Sequence, residues 1–420
     1  MKKFLALLLA ALMSLSLAAC GNSGNTSSAT SASGSAAAGS AAPSDLKIGI
    51  ILVGDENEGY SYAHIEGIEA AKKSLGLSDD QVIYKYSIPE DETCYDTACD
   101  LADSGCSLII SNSYSHQSYM VQAASEFPDV TFVACTGDTA AVCGLDNVKN
   151  AFPHTYEARY VSGVVAGLKL KALMDAGTVT DPHIGYVGAY PYAEVVSGYT
   201  AFFLGIRSIV PTAHMDVMYT NSWFDMNAES EAANALMAKG CVIIGQHADS
   251  TGAPSAVEAA FKAGKTVFSV GYNVDMLSVA PDVALTSAQN NWGAFYTYAF
   301  KCAMDGEEIA TDWSQGHKDG ANMISTLGSA CAPGTQEAVD KVWAGIDDGS
   351  LQVFDTSTFT VDGKTLTSST FDFSTMNADY SAVQYAGPTK ECIVNGAFQE
   401  SVFRSAPYFA LHIDGITELS

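Results

Sequence analysis

Short apolar runs alternate with amphipathic helical patterns along most of this chain, and that alternation constrains the fold more than any other feature. A run of roughly four to eight apolar residues indicates a buried strand, whereas apolar residues three and four apart indicate a helix. The first series of predicted strands is 46–53, 82–88, 107–111 and 130–135. A helix is predicted at 155–174, and the second series of strands is 183–188, 215–220, 241–245 and 266–270. Such alternation is typical of βαβ units around mainly parallel sheets.

The alternation starts twice, so we predict an α/β protein of two lobes, each a doubly wound parallel sheet, with a hinge between them near residue 152. Roughly 375 residues follow the first 45, which suits two domains of common size. The predicted first lobe comprises residues 46–152 and about 276–310, and the second comprises 153–275 and about 311–420. Ligands bind at the carboxyl ends of the strands in such sheets, so the cleft between the lobes is the predicted binding site.

The first 45 residues predict export and membrane attachment. Two lysines, an apolar stretch and small residues before a cysteine indicate a signal peptide at residues 1–19. The Leu-Ala-Ala that precedes Cys20 is similar to a bacterial lipobox, in which the cysteine thiol receives a lipid. An ordinary cleaved signal with a chance cysteine is the alternative. Residues 20–45 are rich in Gly, Ser and Ala and predict a flexible tether. We therefore expect an extracytoplasmic protein that the lipid on Cys20 anchors to the bacterial cell membrane.

The composition and the motifs argue against several classes of function. The chain has 47 Asp and Glu against 20 Lys and Arg, a net charge of −27, so we predict no nucleic-acid partner. Nine cysteines besides Cys20 are an odd number, which requires a free thiol or an intermolecular pair in an exported protein. Cys94, Cys99 and Cys106 form no CxxC pair and have no histidine cluster nearby, so we predict no metal. The GxGxxG, GxxxxGK[ST], GxSxG and HExxH motifs do not occur, and we predict neither a cofactor nor an enzyme.

Four aromatic residues lie at or near predicted strand ends, where a ligand would bind: Tyr60, Tyr62, Trp223 and Trp292. Flat side chains at a cleft can hold a flat ligand, and each stack contributes about 1 kcal/mol or somewhat more. The alternative for each residue is a packing role between the lobes. Together the four indicate a stacking pocket for a planar ligand.

Carboxylates at the strand ends add a second kind of contact. Glu194, Asp249 and Asp275 could each orient a ligand through its N–H or hydroxyl groups. Each could instead cap a helix or a turn, as the Ser-Thr-Gly that follows Asp249 illustrates. Asn112 and Thr136 are candidates of the same kind. The strand ends are poor in Lys and Arg, which an anionic ligand would require, so a neutral, planar, hydrogen-bonding solute fits best.

A resemblance to a known family emerges from these segments. Tyr-Ser-Tyr-Ala-His at 60–64, followed by Gly67, resembles the aromatic-x-Tyr-Ala-His-x-x-Gly opening of one branch of the basic membrane protein (BMP) family of substrate-binding lipoproteins. The resemblance covers 46–305, with a weaker match at 407–416. The other segments that carry it are YEARYVSGVVAGL (156–168), IGYVGAYPYAEVVSGYTAFFLGIRSIVP (184–211), NSWFD (221–225), GQHADSTG (245–252), GYNVDM (271–276) and LTSAQNNWG (285–293).

The resemblance implies a type I periplasmic-binding-protein fold with three crossovers at the hinge. It also implies capture of a purine nucleoside or nucleobase for the permease and ATPase subunits of an ABC importer. By motif, Tyr60 takes the place of a Trp or Phe that stacks on the purine. The other positions carried over are Glu194, Asp249 and Asp275 as polar contacts, and Trp223 and Trp292 at or beside the cleft.

Two departures from the family pattern bear on the ligand. Many nucleoside-binding members carry a Lys shortly after the Leu-Thr-Ser strand, but residues 288–292 here are Ala-Gln-Asn-Asn-Trp. This favours a free base such as adenine. Ser61, also a predicted ligand residue, stands where an Asn usually follows the aromatic residue, and the shorter side chain enlarges the pocket or admits a water. The alternatives are a ligand-sensing lipoprotein that signals, a binder of another neutral solute such as a sugar, and a nucleoside hydrolase.

Overall fold

A computed structural model of the protein describes residues 43–419, so the predicted signal peptide, Cys20 and nearly all of the tether lie outside the described residues. The helices are α1 (Gly59–Leu75), α2 (Glu92–Asp103), α3 (Gln117–Glu126), α4 (Thr155–Asp175), α5 (Ala193–Ile209), α6 (Met226–Ala238), α7 (Gly252–Lys262), α8 (Trp292–Asp305) and α9 (Thr335–Asp347). Within 43–419, none of these helices combines the length and the apolar character needed to cross a bilayer.

Apart from the strand Val148–Ala151, which the sequence did not predict, the strands follow the predicted alternation as far as residue 272. They are β1 (Ile48–Ile51), β2 (Val82–Lys85), β3 (Leu108–Ser111), β4 (Thr131–Cys135), β5 (Val148–Ala151), β6 (His183–Gly188), β7 (His214–Tyr219), β8 (Ile243–His247), β9 (Phe268–Tyr272), β10 (Ala284–Asn290), β11 (Asp312–Trp313), β12 (Asn322–Ile324), β13 (Thr370–Asp372), β14 (Thr375–Met376), β15 (Val383–Tyr385), β16 (Thr389–Glu391), β17 (Ile393–Val394), β18 (Ala397–Phe398) and β19 (Ile416–Leu419).

The first lobe is a parallel sheet in the order β2-β1-β3-β4-β5-β11, with helices on both faces. Successive strand residues alternate between the faces, so Ile50 packs into the core beneath α1 and α8 while Ile51 packs beneath α2 and α3. Both faces are covered, which is why the central strands β1, β3 and β4 are apolar at nearly every position. The predicted doubly wound sheet is confirmed for this lobe.

The second lobe is a sheet in the order β12-β10-β9-β8-β6-β7-β19. All of its pairs are parallel except β10 with β12. In its core, α4 and α5 pack against residues of β6, β8 and β10, such as Ile184, Ile244 and Leu285. With two doubly wound lobes in one chain, the type I periplasmic-binding-protein fold is confirmed.

The chain passes between the lobes three times, near residues 152–154, at 291 and at 314–321. The returning part of the first lobe is therefore α8 and β11, about residues 292–313, rather than the predicted 276–310. The difference arises at β10, which pairs with β9 in the second sheet. Apolar periodicity predicts a strand but does not indicate which of two sheets it joins, so the sequence placed this crossing too early.

Two glycines let α4 and α5 pack against each other with their backbones in contact. A Cβ atom on Gly163 would lie 2.0 Å from the carbonyl oxygen of Phe202, and one on Gly205 would lie 2.1 Å from that of Tyr160. No side chain larger than hydrogen fits at such distances. This helix pair forms the base from which the second-lobe strand ends reach the cleft.

The last eighty residues form a strap that packs mainly on the second lobe. Phe354, Phe398 and Phe409 of this tail belong to the second-lobe core. The strap also contacts the first lobe, because Arg404 forms an ion pair with Asp138 at 3.1 Å, with both side chains about nine-tenths buried. The tail therefore ties the two lobes together outside the three crossovers.

The cysteines of the described region are unpaired. The nine within 43–419 form no disulfide, and six of them are buried, including Cys94 and Cys135. Burial raises the pKa of the Cys135 thiol far above its ordinary value. These residues act as small apolar core residues.

Candidate functional site

A cavity of about 470 Å³ lies between the carboxyl ends of the two sheets, where the parallel topology places a ligand. This volume is within the usual range for small-molecule sites. No lysine or arginine of the described chain lines the cavity. Six of the ten predicted ligand residues line it: Tyr60, Asn112 and Thr136 from the first lobe, and Glu194, Trp223 and Asp249 from the second.

The N-terminus of α1 presents Tyr60 to the cavity. Glu58 caps the helix, with its carboxylate oxygens accepting from the backbone N–H groups of Tyr60 and Ser61 at 2.7 Å each. The hydroxyl of Tyr60 donates to the carbonyl oxygen of Asn112. The phenol is thus tied at its far end, and its ring forms a fixed part of the first-lobe wall.

A second layer of aromatic residues supports Tyr60. Its ring packs edge-on against His64 at 4.6 Å between centroids, and His64 stacks on Trp292 at 4.0 Å. Burial holds the pKa of His64 well below its ordinary value, so the imidazole is neutral. The predicted ligand residue Trp292 is therefore a core residue, only 1% exposed, and it lies behind Tyr60 instead of lining the cavity.

Asn112 uses its side chain to hold the first-lobe loops. Its Oδ1 accepts from the backbone N–H of Val53 at 2.8 Å, and its Nδ2 donates to the hydroxyl of Ser61 at 3.1 Å. Ser61 also accepts from the backbone N–H of Gly54 at 3.1 Å. Ser61 is fully buried and does not line the cavity. It fixes the strand-end loops that carry the ligand wall.

Thr136 lines the cavity in a strained backbone conformation. It follows β4 with a φ of 63°, which is unfavourable for a β-branched residue. Its hydroxyl donates to the carbonyl of Cys135 at 2.6 Å, and its N–H donates to Ala151 at 2.8 Å. The surrounding sheet holds Thr136 in this conformation, which directs the loop after β4 toward the cleft.

Asp249 lies opposite, at the end of β8. Its Oδ1 accepts from Asn273 Nδ2 at 2.6 Å, while its Oδ2 accepts no hydrogen bond from the residues that the structure describes. Burial raises the pKa of Asp249 well above its ordinary value, and the carboxylates of Glu58, Glu229 and Glu194 raise it further. Acidic groups of both lobes, Glu58 of the first and Glu194 and Asp249 of the second, therefore meet in the cavity.

Glu194 opens α5 and lies over a buried cation. Its Oε1 is 3.2 Å from His247 Nε2, and burial raises the pKa of Glu194 to about 7, although the nearby Arg159 lowers it. Arg159 donates to the carbonyl oxygen of Gln246 at 2.6 Å, and its guanidinium stacks 3.7 Å from the ring centre of Tyr272. In the second-lobe wall, the guanidinium of Arg159 and the ring of Tyr272 therefore lie behind the carboxyl group of Glu194.

Trp223 belongs to an aromatic group on the second-lobe side. Its ring packs edge-on against Tyr190 at 5.3 Å and lies 6.4 Å from His247. Tyr190 also lines the cavity. The structure therefore supplies aromatic surface on both walls.

Besides Ser61 and Trp292, two further predicted ligand residues, Tyr62 and Asp275, lie outside the cavity. Tyr62 is 38% exposed on the outer side of α1. Asp275 caps a short 3₁₀ turn, accepting from the backbone N–H of Leu277 at 2.8 Å. Both line a second cavity of about 450 Å³, which Asp249 also borders.

A histidine pair at the opposite end of the second sheet is the cluster closest to a metal site among the described residues. Asp181, His183 and His214 offer ligand atoms within 4.8 Å of one another. The two imidazoles are stacked, however, at 4.3 Å and 25°, so their in-plane lone pairs run side by side rather than converging. His214 Nε2 hydrogen-bonds to Asp181 at 2.7 Å. We assign no ion to this cluster, and the absence of a metal stays a prediction.

Comparison with known proteins agrees with this architecture. The model of the Bmp family, described as ABC transporter substrate-binding protein PnrA-like, matches residues 46–341. This chain belongs to the Bmp family. It is thus an ABC transporter substrate-binding protein, and the family resemblance noted in the sequence is confirmed.

Relatives of this Bmp-family protein carry names with different ligands. A protein of Brucella abortus named a purine-binding protein is 32% identical over 74% of this chain and 84% of its own length. A putative ABC transporter glucose-binding protein of Haloferax volcanii is 30% identical over 68% of this chain and 67% of its own. A solved ABC transporter solute-binding protein of Aeropyrum pernix shares the fold with a TM-score of 0.63 at 15% identity, covering 74% of this chain and 93% of its own.

Several residues of the Bmp-family cavity were not singled out from the sequence. Glu58, Tyr190 and Tyr272 line it. All three lie in or beside strand-end loops, so strand-end position was the available signal. Arg159 lies on α4, away from any strand end. Its only signal was that it is the one charged residue within 158–168 of that helix.

The raised pKa of Glu194 predicts a pH-dependent stability for the ligand-free Bmp-family protein. Its folded-state pKa of about 7 exceeds the ordinary value of 4.5, so the folded state binds the proton more tightly than the unfolded state. The free energy of unfolding therefore loses a contribution of about 2–3 kcal/mol as pH rises from about 4.5 to 7. Glu194→Gln has no carboxyl group to titrate at this position and does not undergo this loss. As pH rises from about 4.5 to 7, its free energy of unfolding should therefore increase relative to that of wild type, as measured by urea denaturation.

The control is Glu231→Gln, on the exposed surface of α6. Its free energy of unfolding should change with pH in the same way as that of wild type. Parallel curves for Glu194→Gln would contradict the raised pKa.

Proposed function

We propose that this Bmp-family protein captures a purine base, adenine in the first instance, in the cavity between its lobes and delivers it to an ABC permease. We also propose that it works outside the cytoplasm, held at the membrane by a lipid on Cys20. The lipobox-like sequence before Cys20 and the Gly/Ser-rich stretch after it support that location.

The observation that carries the ligand proposal is the pairing of an aromatic wall with carboxylates in a cavity that no lysine or arginine within 43–419 lines. The hydrogen bond to Asn112 fixes the ring of Tyr60, and a planar base can stack on that ring. Asp249 and Glu194 offer acceptors to exocyclic amino and ring N–H groups of a purine. A ligand that donates to Asp249 would also offset the repulsion from Glu58 across the cleft.

The base is favoured over the nucleoside because residues 288–292 include no lysine for a ribose. In the structure, Gln289 donates to the carbonyl of Asn273 at 3.1 Å and Asn290 accepts from Thr155 at 2.8 Å. Neither lines the cavity. The name of the Brucella relative supports a purine.

A sugar is the second candidate, because the Haloferax relative is named as a putative glucose-binding protein. Carboxylates and aromatic faces also suit hydroxyl pairs and the apolar face of a sugar ring. Thermal-shift screening against adenine, guanine, adenosine, inosine, glucose and galactose separates the two. A ligand at 100 times its dissociation constant stabilises by about 2.7 kcal/mol. We expect purines to raise the melting temperature, and a response to sugars alone would overturn the proposal.

Replacing Tyr60 with alanine should weaken adenine binding by about 1–3 kcal/mol, because the stack is lost. Tyr60→Phe retains the ring and loses only the hydrogen bond to Asn112, so its affinity should stay nearer to that of wild type. Isothermal titration calorimetry measures both. Unchanged affinity in Tyr60→Ala would show that the ring does not contact the ligand.

A further inference from the structure

The turn between β14 and β15 reaches across the cleft from the tail. Before the turn, Phe373 packs on Tyr408 at 4.9 Å within the second-lobe core. After it, Gln384 Nε2 donates to the hydroxyl of Ser118 on α3 of the first lobe at 2.7 Å, and Tyr385 packs beside the core beneath α2 and α3. The segment between these anchors therefore spans the two lobes.

Tyr380 lies at the tip of this turn, between a tyrosine of each lobe. Its ring stacks on Tyr192 of the second lobe at 4.1 Å and 25°. The same ring centre is 6.1 Å from that of Tyr114 in the first lobe, with planes 23° apart. Tyr192 in turn stacks on Tyr190 at 4.9 Å and 8°. Because Tyr114 and Tyr190 both line the cavity, these four rings form a ladder from one cavity wall to the other.

The backbone of the turn holds Tyr380 in this position at a cost. Its φ is 58°, a conformation that a bulky residue rarely adopts. The N–H of Tyr380 donates to the carbonyl of Asn377 at 2.7 Å, and the N–H of Asn377 donates to that of Ala382 at 2.7 Å. Strain of this kind persists where the surroundings fix it, and it often marks functional segments. Here the surroundings are the stacked rings.

We propose that Tyr380 is a latch that clasps the two lobes over the bound ligand and sets the rate at which ligand leaves. Opening the cleft moves Tyr114 away from Tyr192, so it must break at least one of the two contacts that Tyr380 makes. The latch lies in the tail, beyond residues 46–341 that match the family model. It rests on the proposal that the cavity holds the ligand, but not on the ligand's being a purine.

The test compares Tyr380→Ala with Tyr380→Phe and with Val383→Ala. Val383 lies on the same hairpin, is 57% exposed and takes no part in the ladder. Stopped-flow displacement of adenine measures the dissociation rate. Loss of the stacked pairs should raise this rate roughly tenfold in Tyr380→Ala. Tyr380→Phe keeps the ring and should release adenine at nearly the wild-type rate, as should Val383→Ala.

A second readout needs no ligand. Small-angle X-ray scattering of ligand-free protein should show a larger radius of gyration for Tyr380→Ala than for wild type and the two controls, because the unlatched lobes open more often. If adenine does not bind wild type, the purine proposal fails and scattering alone decides the latch. Identical scattering profiles for wild type and Tyr380→Ala would overturn the latch, and so would an unchanged dissociation rate where adenine binds.

Discussion

Replacing Asp249 with alanine should weaken adenine binding by about 2–3 kcal/mol, or roughly 30- to 150-fold in the dissociation constant. The variant removes a carboxylate whose Oδ2 has no partner among the described residues and leaves a purine N–H without an acceptor. Calorimetry at pH 7 measures the loss.

Protein stability separates this effect from misfolding. Burial raises the pKa of Asp249, and the neighbouring carboxylates of Glu58 and Glu194 raise it further, so removing this carboxyl group removes an unfavourable buried acid. The melting temperature of ligand-free Asp249→Ala should therefore equal or exceed that of wild type. Asp275→Ala is the matched control, because it removes a carboxylate at the next strand end that does not line the cavity. If both variants bind adenine within twofold of wild type, Asp249 is not a ligand contact.

Gly163→Val should destabilise the protein by about 3 kcal/mol or more, because it drives a side chain into the backbone of α5. The carbonyl oxygen of Phe202 lies 2.0 Å from where the Cβ would be, so the helices must separate and the second-lobe core must loosen. Urea denaturation measures the change.

The control for this variant is Gly345→Ala on α9. There a Cβ would lie 3.2 Å from the Cβ of Leu351, a much longer separation than the 2.0 Å at Gly163. The gain in helix propensity of up to about 1 kcal/mol opposes any crowding. A Gly163→Val protein as stable as wild type would show that α4 and α5 do not pack this closely.

Most of the two main sheets could be predicted from the sequence because central strands such as β1, β3 and β4 are apolar runs between helical patterns. The same logic located the cavity, since parallel sheets bring their carboxyl ends to one edge. It placed Tyr60, Glu194 and Asp249 at the cavity. It did not assign β10 to its sheet, because strand pairing depends on long-range hydrogen bonds that local periodicity does not encode.

The errors in the site come from side-chain direction. Tyr62 follows Tyr60 by two positions on α1, and residues two apart on a helix point to different sides. Helical periodicity would have excluded it once α1 was known to start at Gly59. Trp292 begins α8 and turns toward His64, which only the packing of α8 on α1 reveals. Arg159 was missed because it reaches the site from beneath the sheet ends.

The most direct test of the central claim is equilibrium dialysis of the full-length protein against radiolabelled adenine, with and without a large excess of unlabelled glucose. The account predicts saturable binding of one adenine per chain that glucose does not displace. It also predicts that binding falls sharply when Tyr60 and Asp249 are both replaced by alanine. Displacement of adenine by glucose, or equal binding by wild type and the double variant, would contradict a purine site between the lobes.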